Sequence, residues 1–319
     1  MIRTPITAML GIEHPVLLAP MGSVSGGRLA AAVSRAGGLG IIGGGYCDLA
    51  WLEREVKAAG DAPIGIGFIT WALQKAPAAL DIALAHTPKA ILLSFGELQP
   101  FAGRIKRSGA RLIAQVQNVA QARQAVTEGA DIVVAQGTEA GGHGAMRATL
   151  PLVPAVVDAL PGIPVVAAGG IADGRGLAAA LMLGATGVLC GTAFYASEES
   201  LADPVAKQAL VRASGDQTQR STVFDLARGL EWPEGWTIRT LENAFSRRWA
   251  ADPAGLKAQL SEEQRRYAAA RDASDFDTAA IIAGEAADLV RSVRPAADIL
   301  TGMVEQAVAL LQRGPGLLC

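Results

Sequence analysis

Two kinds of residue in this chain sit where they could do chemistry. The first is a histidine. His143 ends the run Gln136-Gly137-Thr138-Glu139-Ala140-Gly141-Gly142-His143-Gly144, bracketed by glycines and with no apolar face around it. An imidazole with an ordinary pKa near ~6.5 accepts or donates a proton around neutrality, which suits a general base or a hydrogen-bond donor. The second kind is backbone: Gly169-Gly170 and Gly191-Thr192. Paired glycines let amide N–H groups approach a ligand closely. Two such turns side by side suit a phosphate, with the start of a following helix expected to add a favourable field. His14 opens an apolar run and His86 precedes Thr87-Pro88 at the end of a helical stretch, so both read as structural.

These residues need elements to position them, and the chain supplies a loose repeat. Short apolar runs begin near His14, Leu39, Pro63, Lys89, Arg111, Asp131, Ile163 and Thr186. Each is a near-continuous stretch of Val, Ile, Leu and Ala, the pattern of a strand buried on both faces of a parallel sheet. Helical patterns alternate with them over Gly27–Gly37, Asp48–Gly60, Asn118–Gly129 and Asp173–Gly184, each closing on Gly. Strand–helix alternation leaves an open doubly wound sheet or a barrel. Eight strands at this spacing, without G-x-G-x-x-G after the first, favour a (β/α)₈ TIM barrel. Its catalytic rim is the carboxyl end of the strands. Here that rim reads Pro20-Met21-Gly22, Gly43-Gly44-Gly45, Thr70, Gly96-Glu97, Gln115, Gln117, Gln136-Gly137, Gly169-Gly170 and Gly191-Thr192. The longest interval, after strand six, holds His143.

Composition narrows the function classes. With 28 basic against 30 acidic residues in 319, the chain has no field for nucleic acid and no polybasic membrane anchor. Cys47, Cys190 and Cys319 form no C-x-x-C, so neither a disulfide scaffold nor a zinc ribbon is encoded. No lysine falls at a strand end for a Schiff base, and Glu97, Glu139 and His143 are too thin a set for a metal site, so no metal is expected. The uncharged stretch Leu177–Ala196 is long enough to span a bilayer, but Gly184, Gly187 and Gly191 divide it into a helix and a strand. The reading is a cytoplasmic protein without membrane or nucleic-acid partners, its assembly as a homodimer left open. The barrel is assigned to residues 1–200 plus 275–319, with Asp275–Gln312 helical in period, and 201–274 to a small, mostly helical elaboration. Reactivity then falls to a bound cofactor, and a phosphorylated flavin suits a rim of glycine, glutamine and threonine.

The motifs HPVLLAPM (14–21), AGGLGIIGGG (36–45), QGTEAGGHG (136–144), AAGGIADG (167–174) and Gly191-Thr192 together resemble the nitronate monooxygenase family, formerly called 2-nitropropane dioxygenases. The similarity resumes over Asp275–Leu311, and FMN-dependent enoyl reductases of bacterial fatty-acid synthesis share nearly all of these motifs. The resemblance implies a barrel binding FMN non-covalently. The flavin ring would lie near Ala19, Pro20, Met21 and Gly22, with Gln136 and Gly141 beside it, and the phosphate at Gly169, Gly170, Gly191 and Thr192. It implies that His143 is the catalytic base toward a nitroalkane. The resulting nitronate would give an electron to FMN, and O2 would complete oxidation to a carbonyl compound and nitrite. The alternative is an NAD(P)H-dependent flavin reductase acting on enoyl thioesters or quinones; a flavin- or phosphate-binding protein without turnover is a third. Relatives often carry Asn where this chain has Gly67, and Arg closer to the histidine than Arg147 stands.

Overall fold

The structure is a computed structural model that describes residues 2–317. Six strands come first: β1 (Val16–Leu18), β2 (Ile41–Gly45), β3 (Gly65–Ile69), β4 (Ala90–Ser94), β5 (Arg111–Val116) and β6 (Ile132–Gln136). A short β7 (Gly142–Gly144) is followed by β8 (Val165–Ala168) and β9 (Gly187–Cys190). All but β7 form one parallel sheet in the order β1-β9-β8-β6-β5-β4-β3-β2. The two ends of that order meet. Leu39 N donates to Val16 O at 3.0 Å and Leu18 N to Leu39 O at 2.9 Å, a parallel bridge that closes the sheet. The eight apolar runs therefore make the expected (β/α)₈ barrel.

Alternation along the strands separates two cores. Leu17, Ile41, Leu92, Ile113, Ile132, Val134, Val166 and Leu189 fill the barrel, and Ile6 and Leu10 of the helix Pro5–Leu10 close it from below. The other set, with Leu18, Ile42, Ile66, Leu93 and Val133, meets the surrounding helices. Those helices begin where the sequence offers caps: Asp48 accepts from Trp51 N (3.0 Å), Asn118 from Gln121 N (2.8 Å) and Asp173 from Arg175 N (2.9 Å). The uncharged stretch at 177–196 resolves into the helix Gly174–Met182 and strand β9, and no helix among the described residues is long and apolar enough to cross a membrane.

Residues 201–274 are mostly helical, as expected, and also carry β10 (Thr218–Ser221) and β11 (Thr237–Leu241), which join β7 in an antiparallel sheet of order β10-β11-β7. Gly-His-Gly has no strand propensity of its own; β7 is a strand because β11 lies beside it, pairing Ile238 with His143. One expectation is corrected, that of Asp275–Gln312 as a segment helical in period. Only Ala296–Arg313 is α-helix, and 275–295 is an irregular strap with one 3₁₀ stretch, Glu285–Leu289. Its backbone groups are claimed by other parts of the fold: Ile281 O by Leu241 N (2.9 Å), Gly284 N by Thr192 Oγ1 (2.9 Å) and Glu285 N by Glu139 O (2.9 Å). Pro295 then keeps the residue before it out of the helical region.

Ile6 is fully buried beneath the barrel. Ile6→Ala is expected to destabilise the fold by about 2–5 kcal/mol, read as a lowered urea midpoint at unchanged slope.

Candidate active site

The carboxyl ends of the strands open on one cleft of about 1220 Å³, counted out to solvent. Ala19, Pro20, Met21, Gly22, Gln136, Gly141, His143, Gly169, Gly170, Gly191 and Thr192 all line it. Residues from four separate motifs are thus brought to one surface.

Beyond β8 the chain turns through Gly169 (φ +102°) and Gly170 (φ +70°), a region that side-chain-bearing residues avoid. Neither amide donates to an acceptor among the described residues. The turn is braced from behind by Thr149, whose N and Oγ1 donate to the Glu139 carboxylate at 3.0 and 2.8 Å. The expected helix field is corrected. The first amides of Gly174–Met182 are already taken, Gly174 N by Gln306 Oε1 (2.8 Å) and Arg175 N by Asp173, and the helix after β9 is a single turn, Thr192–Tyr195. That leaves the glycine amides and the Thr192 hydroxyl as the groups that could hold an anion there. Gly67, where relatives often have Asn, faces the Pro20 ring so closely that a side chain would collide with it.

At the adjoining ends of β5 and β6, three glutamines fix the loop that leads from β6 into β7. Gln136 Oε1 accepts from Gln115 Nε2 (2.9 Å) and Gln117 Nε2 (2.8 Å), and its own Nε2 donates to His143 O (3.1 Å). Arg220 enters the same loop from β10 and donates to the carbonyls of Thr138 (3.0 Å), Ala140 (3.0 Å), Gly142 (3.3 Å) and Thr237 (2.8 Å). Burial lowers its pKa to about 10, so it stays a cation at neutral pH.

The His143 side chain is only 8% exposed. Its Nε2 lies 2.9 and 3.0 Å from the two carboxylate oxygens of Asp225, on the helix Val223–Ala227. The Trp232 indole stacks on the imidazole (centroids 3.4 Å apart, planes at 11°) and donates from Nε1 to Tyr46 OH at 2.9 Å. Burial pushes the His143 pKa below its ordinary value; Asp225 opposes the shift, while Arg228 and Arg220 add to it. The imidazole is therefore neutral at pH 7, as a proton acceptor must be. Burial also pushes the thiols up, Cys47 to about 11 and Cys190 to about 12, so neither is a thiolate nucleophile.

Asp225, Trp232, Tyr46, Arg220 and Arg228 were not legible as site residues in the sequence. Four of them lie beyond residue 200, where the aromatics Trp232, Trp236, Phe245 and Trp249 are the one signal the sequence offers. Arg228 lines the cleft, whereas Arg175 pairs with Asp173 and Arg248 with Glu263.

The chain matches the family model described as nitronate monooxygenase over residues 3–92 and 74–306. It belongs to the nitronate monooxygenase family. A nitronate monooxygenase of Metarhizium robertsii is 37% identical over 330 residues, spanning 93% of this chain and 91% of that protein. A (3aS,4S,5R,7aS)-5-hydroxy-7a-methyl-1-oxo-octahydro-1H-indene-4-carboxyl-CoA dehydrogenase of Mycobacterium tuberculosis is 38% identical over 229 residues, 70% of this chain but only 64% of that protein's length. The Rhodococcus jostii protein of the same name is matched over 62% of its length. Among solved structures, FabK from Thermotoga maritima superimposes with a TM-score of 0.87 at 31% identity, covering both chains fully. A nitroalkane oxidase from Streptomyces ansochromogenes gives 0.78 at 29% identity, over 96% of this chain and 99% of that one.

The depressed pKa of His143 has a sign for stability. Between the unfolded value near ~6.5 and the lower folded value, the unfolded chain binds the extra proton, so this group's contribution is complete above ~6.5 and is lost as pH falls through that window. His143→Asn is expected to flatten the acid side of the stability–pH curve, measured by urea unfolding at pH 7.5 and 5.5.

Proposed function

We propose that the protein is an FMN-dependent nitronate monooxygenase, oxidising alkyl nitronates, and the nitroalkanes that give rise to them, with O2 to carbonyl compounds and nitrite. One observation carries this reading: a buried, neutral imidazole on the wall of a cleft whose floor is glycine-rich backbone. The fit to FMN rests on Gly169 and Gly170, whose amides are unclaimed and whose positive φ leaves room for close approach. With Gly191 and Thr192 they would hold the phosphate, and Ala19, Pro20, Met21, Gly22, Gln136 and Gly141 would border the ring. Bound there, FMN would supply the redox chemistry by which the anionic nitronate is oxidised with O2. The protein's own groups do the rest. His143 accepts the α-proton of the neutral nitroalkane, Arg228 lines the same cleft and favours the anion that results, and Trp232 with Tyr46 keeps bulk water off the imidazole.

The overlay on FabK favours a second reading, an NAD(P)H-dependent flavin reductase acting on enoyl thioesters or quinones. Anaerobic mixing separates the two. A small alkyl nitronate is expected to bleach the flavin rapidly, and NADH or NADPH slowly; no reduction by the nitronate overturns the proposal. His143→Asn should lower kcat/KM for a neutral nitroalkane by about 10²-fold or more, and much less for the preformed nitronate. Equal loss on both would show that His143 is not the proton acceptor.

A further inference from the structure

We infer that Asp225, delivered from beyond the barrel, is the positioning residue of His143: it keeps the imidazole hydrogen on Nε2 and leaves Nδ1 as the basic nitrogen that meets the substrate. The inference rests on reading His143 as the base.

The argument starts from donor and acceptor chemistry. An ionised carboxylate can only accept hydrogen bonds, and both oxygens of Asp225 lie against Nε2, at 2.9 and 3.0 Å. Nε2 therefore carries the hydrogen. In a neutral imidazole the lone pair is then on Nδ1. That nitrogen has no hydrogen-bond partner among the described residues, and it is not sealed among the buried, unpartnered polar atoms either. It is the ring nitrogen left open to the cleft that His143 lines.

The ring has little freedom to present the other nitrogen. Its backbone is in register with Ile238 of β11, its carbonyl is held by Gln136 Nε2, and Trp232 covers one face. Asp225 is equally fixed, because its neighbours Val223 and Phe224 are buried in a cluster with Phe245, Trp249 and Tyr267. Taking the α-proton would turn the buried imidazole into a cation, and the adjacent carboxylate offsets the cost of that charge. The other ionisable groups around the ring are Arg220 from β10 and Arg228 just past the Asp225 helix, with the Tyr46 phenol behind Trp232; β6 and the loop after β4 contribute only the neutral Gln136 and Phe95. Asp225 is thus the one group here that supports the protonated ring.

Ring ¹⁵N NMR of the FMN-loaded enzyme at pH 7 tests this directly, since the chain has three histidines and His143→Asn identifies the signals. His143 is expected to show a protonated Nε2 and a bare Nδ1. In Asp225→Asn, nearly the same shape without the charge, that preference should be lost. The His143 pKa should fall further, because the group that raised it is gone, and the acid limb of kcat/KM should move with it. The kcat/KM for a neutral nitroalkane should drop by about 10²–10⁴-fold, and the ratio of preformed nitronate to neutral nitroalkane should rise at least tenfold. A wild-type ring protonated at Nδ1 overturns the inference, whether or not the variant folds. So does an Asp225→Asn enzyme with unchanged ring signals and an unchanged substrate ratio. If neither nitronate nor nitroalkane reduces the wild-type flavin, the functional proposal fails while the tautomer still decides the role of Asp225.

Discussion

All eight barrel strands run in one direction, and this constraint governs the rest of the molecule. Parallel strands end at the same rim, so whatever the sequence places after each strand is gathered there whatever its distance along the chain. Closure through Leu39 and Val16 removes the sheet edges and brings the two ends of the strand order together. β1 pairs directly with β9, and β9 with β8, so the turn after β1 lies beside the turns after those strands, and Pro20, Gly169 and Gly191 line one cleft.

A rim of short, small residues makes a good floor but holds few groups that can move a proton. The segment after β9 supplies what is missing. It adds β10 and β11 to a three-residue strand with no tendency to form alone, and in doing so fixes the backbone of His143. It then brings Asp225 to one edge of the imidazole and Trp232 to one face. Arg220, half-buried without a carboxylate contact, ties this addition to the barrel through the carbonyls of Thr138, Ala140 and Gly142, so the glycine loop around His143 is shaped by the added segment as much as by β6. A half-buried charge is tolerated there because each guanidinium nitrogen finds an acceptor.

The electrostatics follow from the same packing. Burial disfavours the charged imidazole and the charged thiol alike, and leaves His143 as a neutral imidazole and Cys190 as an inert core residue. The difference between them is a neighbour. Cys190 is enclosed within a strand, whereas His143 has a carboxylate at hydrogen-bond distance that counteracts its desolvation.

The barrel was legible in the chain because a strand covered on both faces must be apolar along its length, and such runs recur with helical stretches between them. The glycine turns were legible because glycine takes the positive φ angles found at 169 and 170 without steric cost, and His143 because glycines replaced any apolar surround. The strap at 275–295 was misread as helix, since its apolar spacing is real but its backbone bonds go to Leu241, Thr192 and Glu139. The partners of His143 were hidden for the same reason. Asp225 and Trp232 lie more than eighty residues away, in a segment with no periodic signal of its own, and pairing of one short strand with another is decided by what the folded chain brings alongside. The amino-acid sequence by itself determined where backbone could approach a ligand and which base was available. Only the tertiary structure decided which nitrogen of that base is held and which is free, because the hydrogen-bond partner that selects it comes from a distant part of the chain.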